Sequence, residues 1–189
     1  ISHDCAQFFR PSLPLRSQAY ELNPGVFGIV NAFNQFLANQ TVQNLGQAMH
    51  DIIGAQHQFH DPDFVAGWAE RFVPTPERMV LFERMRAELA AALPPDGTLV
   101  ELGIGPGYLA EYLLAALPQV RYLGVDFSRP ILELAGRRLQ AHGPRLGLVR
   151  ADLLDPDDTW WQSIPAPVDA VVTTWSLHDL GSQANVEAV

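Results

Sequence analysis

Three glycines at alternate positions follow a short apolar run in the segment LVELGIGPGYLAEYL, residues 99–113. The run carries Glu101 near its end, and the glycines are Gly103, Gly105 and Gly107. Glycine has no Cβ, so such a turn lets a ligand approach the backbone closely. Strand, glycine turn and helix in this order predict a ligand site at the end of a strand.

The residues beside the turn argue against the two common phosphate-binding patterns. The dinucleotide fingerprint has its last glycine where this chain has Tyr108, and a phosphate loop ending in Gly-Lys-Ser/Thr is absent. A tyrosine does not permit the close helix–strand packing beside a pyrophosphate. The turn is therefore predicted to hold a part of a ligand without a phosphate.

Two aspartates stand at the ends of the next two predicted strands. Asp126 comes 19 residues after Gly107, where a carboxylate can accept hydrogen bonds from both hydroxyls of a ribose. The alternative is that Asp126 caps the next helix, but Ser128 is already a suitable cap. Asp152 follows the third strand, within reach of the exocyclic amine of an adenine.

The elements that must position these groups alternate between strand and helix patterns. Strands are predicted over 98–102, 120–126, 146–150 and 168–174, and helices over 108–117, 130–142 and 157–164. Such alternation with nearly continuous apolar strands is typical of a parallel sheet covered on both faces. Its strand ends would bring the glycine turn and both aspartates to one edge.

The N-terminal part of the chain has different patterns. Residues 1–24 contain three prolines and no clear period, which predicts an irregular arm. Apolar residues from Val26 to Gly54 recur every three or four positions and predict two amphipathic helices. No residue between Leu22 and His50 is charged, so these helices are expected to cover the chain's own core or to form a homo-oligomer contact.

Two further helices are predicted before the first strand of the sheet. One covers 63–72, and the other runs to Leu93 after Thr75 and Pro76, which fit a capped start. The domain organisation predicted is an irregular arm over 1–24, a helical cap, lid or oligomer region over 25–74, and a cofactor-binding sheet domain over 75–189.

Composition limits the partners and the location. Twelve basic and twenty-one acidic residues give a net charge of −9 without a Lys/Arg cluster, which disfavours nucleic acid. The single cysteine, Cys5, excludes an intramolecular disulfide and a cysteine-based zinc site. No long apolar run or export leader occurs, so a cytoplasmic location without membrane contact is predicted. His50, His57 and His60 lack the compact zinc-binding pattern, and no metal site is predicted.

The segments VELGIGPG, LGVDFS, RADLLD and VDAVVTTWSLHDL resemble the successive motifs of the class I S-adenosylmethionine-dependent methyltransferases. The similarity extends over about residues 72–180, and the ordered set is more specific than any single motif. It implies a Rossmann-like, doubly wound, mostly parallel α/β sheet with S-adenosyl-L-methionine as cofactor. Only four of the family's seven strands are present, so we expect a truncated sequence, or another segment or chain on the open edge of strand 168–174.

The resemblance also implies roles for individual residues. Gly103, Gly105 and Gly107 would pass under the methionine part of the cofactor, and Glu101 would help to fix its amino group. Asp126 would hold the ribose, and Thr174 and Trp175 would lie near the sulfonium. Phe127 would lie against the adenine and Asp152 would meet its amine, and Leu153 is a further cofactor-binding candidate.

The end of the fourth strand bears on the acceptor. Enzymes of this class that methylate amino groups on nucleic-acid bases or on protein glutamine have an Asn/Asp-Pro-Pro-aromatic element here, whereas this chain has Thr174-Trp175-Ser176-Leu177. TTWSLHDL resembles instead the small-molecule branch, although its usual second histidine is replaced by Asp179. This resemblance predicts a small-molecule acceptor and no nucleic-acid partner.

Methyl transfer from a sulfonium needs an aligned nucleophile and, for some acceptors, a base. His178 is the catalytic candidate, and it could instead begin a helix and pack against the sheet. His57 or His60 could act if the aromatic residues near 59–72 fold over the cavity as a lid. A nicotinamide-dependent oxidoreductase and a catalytically silent nucleotide-binding or scaffold protein are the alternative functions.

Overall fold

The computed structural model of the chain describes residues 57–154, 160–180, 182 and 184–185, together with the strand Phe27–Val30. The predicted arm over 1–24 and the helical pattern from residue 31 to Gly54 lie outside the described residues, as does the start of the helix predicted over 157–164. None of the helices in the described part is long and apolar enough to span a membrane.

Within the described residues, five parallel strands form a sheet of order β1-β5-β2-β3-β4. They are β1 (Phe27–Val30), β2 (Thr98–Leu102), β3 (Arg121–Asp126), β4 (Leu146–Arg150) and β5 (Ala170–Thr173). The predicted Rossmann-like α/β class is confirmed. The chain runs outward from β2 to β4 and returns past β2 to β5, so the strand order reverses between β2 and β5. Open α/β sheets bind ligands at the carboxyl ends of strands at such a point.

Strand β1 corrects the prediction that a helix begins at Val26. Phe27–Val30 pairs in parallel with Ala170–Thr173, on the edge of β5 that faces away from β2. Without a partner, that edge would leave backbone N–H and C=O groups of a buried strand unpaired. The period of a short apolar run does not distinguish a strand from a helix. The segment is a strand because it pairs with the otherwise open edge of β5.

Four α-helices precede or connect the strands in the described part: α1 (Pro62–Ala69), α2 (Pro76–Ala92), α3 (Tyr108–Ala116) and α4 (Arg129–Leu139). Thr75 caps α2 as predicted, since its hydroxyl accepts from the backbone N–H of Arg78 at 3.4 Å. Ser128 likewise caps α4, with its Oγ 3.2 Å from the backbone N of Ile131.

Three of the predicted helices contain 3-10 turns within the described residues. The turns are Glu70–Phe72 after α1, Gln140–Arg145 after α4, and Trp160–Ser163 within the predicted range 157–164. After α4 the helix cannot continue, because Gly143 has φ 51° and Pro144 follows it.

The sheet carries a hydrophobic core on each face. On one face, α2, α3 and α4 pack their buried apolar residues against Leu99, Tyr122 and Val172 of the strands. On the other face, Val100, Leu123 and Val125 pack with Ala151 and Ile164. With apolar side chains buried on both faces, the strand ends are a rigid support for the site above them.

Candidate functional site

A cavity opens at the carboxyl ends of β2, β3, β4 and β5. Its wall contains nine of the ten residues predicted to bind the cofactor: Glu101, Gly103, Gly105, Asp126, Phe127, Asp152, Leu153, Thr174 and Trp175. These residues come from four separate strand ends, and the sheet topology brings them together. Their binding roles stay predictions.

The glycine turn has the left-handed backbone that its composition predicts. Gly103, Gly105 and Gly107 have φ values of 72°, 54° and 82°. A side chain at Gly103 would collide with Ser176, whereas one at Gly105 would meet only the Trp68 ring, at 3.7 Å. The turn therefore presents bare backbone to the cavity at Gly105.

Gly107 lies outside the cavity wall. It is the N-cap of α3, and a Cβ there would be 3.2 Å from Leu139 and 3.4 Å from Ala135, both on α4. The structure therefore gives Gly107 a packing position against α4, and its place under the methionine part of the cofactor stays a prediction.

Arg138 of α4 holds the turn from outside. Its Nε donates to the carbonyl oxygen of Pro106 at 2.9 Å, and its guanidinium lies 3.8 Å from the ring centroid of Tyr108. Tyr108 itself is part of the cavity wall. A ring fills the position where a dinucleotide fingerprint has glycine, which agrees with the prediction of a site without a pyrophosphate.

Glu101 is a buried acid at the cavity wall, with 1% of its surface exposed. Its Oε2 accepts a hydrogen bond of 2.7 Å from the phenol of Tyr122, a fully buried residue of β3. Burial raises the pKa of Glu101 to about 8, against the lowering effect of the tyrosine hydrogen bond. An ammonium group placed at this carboxyl would favour its ionised form.

Asp126 joins the glycine turn to the loop after β3. Its Oδ2 accepts from the backbone N–H of Gly105 at 3.2 Å and its Oδ1 accepts from that of Ser128 at 3.0 Å. Burial raises the pKa of Asp126 to about 6 despite these hydrogen bonds. A carboxylate has about four acceptor sites, so the backbone hydrogen bonds leave acceptor capacity that a ribose hydroxyl can use.

Asp152 stands in the cavity wall after β4. Its Oδ1 accepts from the backbone N–H of Leu154 at 2.9 Å, which fixes the direction of the carboxylate. With Glu101 near the end of β2 and Asp126 at the end of β3, it makes three acidic groups at three successive strand ends.

The segment after β5 is held in a strained conformation. Trp175 has φ 53°, which is uncommon for a bulky residue and stores strain at the cavity wall. The next residue fixes the segment, because Ser176 Oγ donates to the carbonyl oxygen of Leu102 at 2.9 Å and lies 2.7 Å from Thr173 Oγ1.

Aromatic residues before the sheet domain form another part of the wall. Phe59, Trp68 and Phe72 line the cavity, while Phe64 packs edge-on against Phe59 at 5.5 Å between ring centroids. The hydroxyl of Ser128 donates to the carbonyl oxygen of Phe59 and so ties this segment to the loop after β3.

The histidines considered as bases differ in what the structure shows. His57 Nδ1 accepts from the backbone N–H of Phe59 at 3.2 Å, and the pKa of His57 is lowered, chiefly by burial. The His60 ring makes an edge contact with Phe127 at 5.5 Å. His178 belongs to the 3-10 turn Leu177–Leu180, and its side chain lies outside the described residues.

Sequence reasoning missed three residues that shape the site: Arg78 in the cavity wall, Tyr122 behind Glu101, and Ser176 beside Gly103. Tyr122 carried a signal, because a buried tyrosine in an apolar strand needs a partner for its hydroxyl. The sequence signal for Arg78 was weaker: a cation is unfavourable in the first turn of a helix, so helix stability does not explain an arginine there.

Comparison with known proteins finds methyltransferases. Residues 100–189 match a family model described as "Methyltransferase domain". Ribosomal RNA small subunit methyltransferase H of Mycolicibacterium gilvum is 33% identical over 132 residues, which cover 64% of this chain and 33% of that protein. Release factor glutamine methyltransferase of Mycolicibacterium smegmatis is 37% identical over 116 residues, 61% of this chain and 39% of that protein.

The chain spans about a third of the length of the curated relatives that it matches first. Among solved structures, a SAM-dependent methyltransferase from Geobacter sulfurreducens in complex with S-adenosyl-L-homocysteine is 17% identical, with a TM-score of 0.45. That match covers 75% of this chain and 49% of the other.

These relatives correct the predicted partners. Their names give ribosomal RNA and a release-factor glutamine as what they methylate, and both are parts of macromolecules. The prediction of a small-molecule acceptor without a nucleic-acid partner is contradicted. It depended on the overall charge and on the residues after β5, and neither of these identifies what fills the open side of the cavity.

Proposed function

We propose that the chain is a class I S-adenosylmethionine-dependent methyltransferase that transfers the methyl group of S-adenosylmethionine to an acceptor by in-line displacement. The match of residues 100–189 to a methyltransferase domain model supports this proposal. The observation that carries this proposal is the convergence of Glu101, Asp126 and Asp152 on one wall, beside a turn that presents bare backbone at Gly105. The turn and the three acids come from three successive strand ends.

The residues present fit this cofactor. Glu101 would hold the methionine amino group and Asp126 the ribose hydroxyls. Asp152, Leu153 and Phe127 would hold the adenine. The bound cofactor supplies an activated methyl group on a sulfonium, whose positive charge suits an acidic wall with the Trp175 ring nearby.

The chain's own contribution to the reaction is mainly positioning. The acceptor atom must lie about 3 Å from the methyl carbon and in line with the carbon–sulfur bond that breaks. In such an arrangement the acceptor's lone pair would form the bond to the methyl carbon, the thioether would leave with the electrons of the broken bond, and a base would take any proton that the acceptor loses. His178 is our proposed base, and Phe59, Trp68 and Phe72 are proposed to shape the acceptor side as a lid.

Binding calorimetry with S-adenosylmethionine, S-adenosylhomocysteine and NAD tests the cofactor. We expect the first two to bind and NAD not to bind. Asp126→Asn is expected to weaken the binding of both by about 10- to 100-fold, because a charge-assisted hydrogen bond contributes about 1.5–3 kcal/mol. Binding of NAD alone would refute the proposal and favour the oxidoreductase.

The acceptor is tested with the substrates that the relatives' names supply. The chain is incubated with methyl-tritiated S-adenosylmethionine and either ribosomal RNA of the small subunit or a release factor. Tritium retained on either one supports a macromolecular acceptor. Cofactor binding without transfer to either one refutes these acceptors and leaves the cofactor assignment intact.

A cytoplasmic location remains a further proposal.

A further inference from the structure

Arg78 differs in charge from the rest of the cavity wall. The described wall has four carboxyl groups, those of Glu101, Asp126, Asp152 and Asp179, and Arg78 is its only lysine or arginine. An acidic wall suits a cationic ligand, so a single guanidinium within it indicates a ligand that also carries a negative group.

Two aromatic rings hold the guanidinium in place. Its Cζ lies 5.1 Å from the ring centroid of Phe72 and 5.0 Å from that of Trp175. Arginine stacks on ring faces through its own flat face, which leaves the N–H donors at the edge of the guanidinium for another group. The side chain is half-buried and already ordered, so binding a ligand costs little additional side-chain entropy.

No carboxylate of the described residues pairs with Arg78. Arg86, Arg129 and Arg138 each form an ion pair with a glutamate, whereas the contacts of the Arg78 guanidinium are the two rings. Helix stability does not explain Arg78 either. It lies in the first turn of α2, where the helix dipole disfavours a cation.

We propose that Arg78 is the oxyanion-binding residue of this cavity and takes a carboxylate through its fork of N–H donors. The proposal rests on the proposed function, because it assumes that the cavity binds S-adenosylmethionine and an acceptor. The carboxylate has two possible sources, the methionine end of the cofactor and the acceptor. Both present the same planar group to the guanidinium.

Calorimetry on the full chain and its variants distinguishes the sources. The ligands are S-adenosylmethionine and decarboxylated S-adenosylmethionine, which lacks the carboxylate and keeps the ammonium and the sulfonium. A cofactor carboxylate predicts that Arg78→Gln weakens S-adenosylmethionine about 10- to 100-fold and leaves the decarboxylated form unchanged. Arg78→Lys, which keeps the charge without the fork, is expected to recover part of the loss.

An acceptor carboxylate predicts another pattern. Both cofactor forms then bind Arg78→Gln as they bind the unmodified chain. Benzoate, added as a probe to the chain saturated with S-adenosylhomocysteine, binds the unmodified chain more tightly than benzamide and loses this advantage in Arg78→Gln. Arg84→Gln, a change of an exposed arginine on the same helix, is the matched control and is expected to alter none of these values.

Three results overturn the proposal. One is that Arg78→Gln leaves the binding of S-adenosylmethionine and of benzoate unchanged. Another is that it weakens the binding of both cofactor forms equally, which assigns Arg78 to packing alone. The third is that Arg78→Gln changes the ligand affinities no more than the control Arg84→Gln does, which also assigns Arg78 to packing alone. If the unmodified chain does not bind S-adenosylmethionine, the proposed function fails as well, whereas normal binding without an Arg78 effect refutes this inference alone. Thermal unfolding of each variant checks that the fold is retained.

Discussion

Cofactor binding is expected to release a proton from Glu101 at neutral pH. Burial holds the pKa of this carboxyl at about 8, so the ligand-free chain carries about 0.9 protons there at pH 7. An ammonium group bound beside it favours the carboxylate and expels the proton. The pKa of Asp126 is about 6, so that group holds only about 0.1 protons at pH 7 and contributes little.

The size of the pH effect on cofactor affinity follows from the pKa shift of Glu101. Raising the pKa of a glutamate from 4.5 to about 8 corresponds to about 5 kcal/mol of unfavourable ionisation in the empty site. The bound ammonium must offset this cost. The affinity for S-adenosylmethionine is therefore expected to rise with pH by up to about tenfold per pH unit and to level off above about pH 8.

Calorimetry at pH 7 in two buffers of different ionisation enthalpy measures the proton released. Glu101→Gln is the matched variant, because it keeps the shape of the protonated acid and cannot ionise. We expect it to bind the cofactor more weakly, without proton release and without the pH slope. Equal heats in the two buffers for the unmodified chain, or the same release from Glu101→Gln, would refute the assignment.

The same variant has a stability consequence. A carboxyl whose folded pKa is raised binds more protons in the folded state, so its effect on stability becomes more unfavourable as the pH rises from about 4.5 to 8. At pH 7 the raised pKa of Glu101 lowers the free energy of unfolding by about 3 kcal/mol. Glu101→Gln is therefore expected to raise the free energy of unfolding by up to that amount. Urea unfolding at pH 5 and pH 7 measures it, and an equal gain at both pH values would contradict the reasoning.

Three other substitutions test single contacts. Tyr122→Phe removes the hydrogen bond that lowers the pKa of Glu101, so calorimetry across pH is expected to show the affinity rise displaced to higher pH, and an unchanged profile would contradict this. Gly103→Ala is expected to lower the free energy of unfolding by about 1–3 kcal/mol or more, and adding Ser176→Gly to recover part of it in urea titrations. Thr98→Val is expected to raise the melting temperature, because Thr98 Oγ1 is buried without a hydrogen-bond partner among the described residues.

Local chemistry made the sheet and the turn predictable. The strands over 98–102 and 146–150 appear with the predicted bounds, and Thr75 and Ser128 cap helices as expected. Caps, turn glycines and apolar periods act through neighbouring residues, so they can be read from a few positions of the sequence. Nine cofactor-binding candidates meet at one cavity because a parallel sheet brings its strand ends to one edge.

Other features depend on residues far apart in the chain. The period over 26–54 predicted two helices, yet Phe27–Val30 is a strand that pairs with the open edge of β5. The glycine pattern did not reveal that Gly107 faces α4 instead of the cavity. The overall charge did not predict that the relatives of this chain are named for macromolecular substrates.

The sequence by itself determined the class of sheet, the glycine turn and the acids at the strand ends. Only the tertiary structure decided that Tyr122 donates to Glu101 and that Arg78 lies between Phe72 and Trp175. The reason is that backbone preferences are local, whereas the burial of a charge and the partner of a polar group are set by whichever segments pack there.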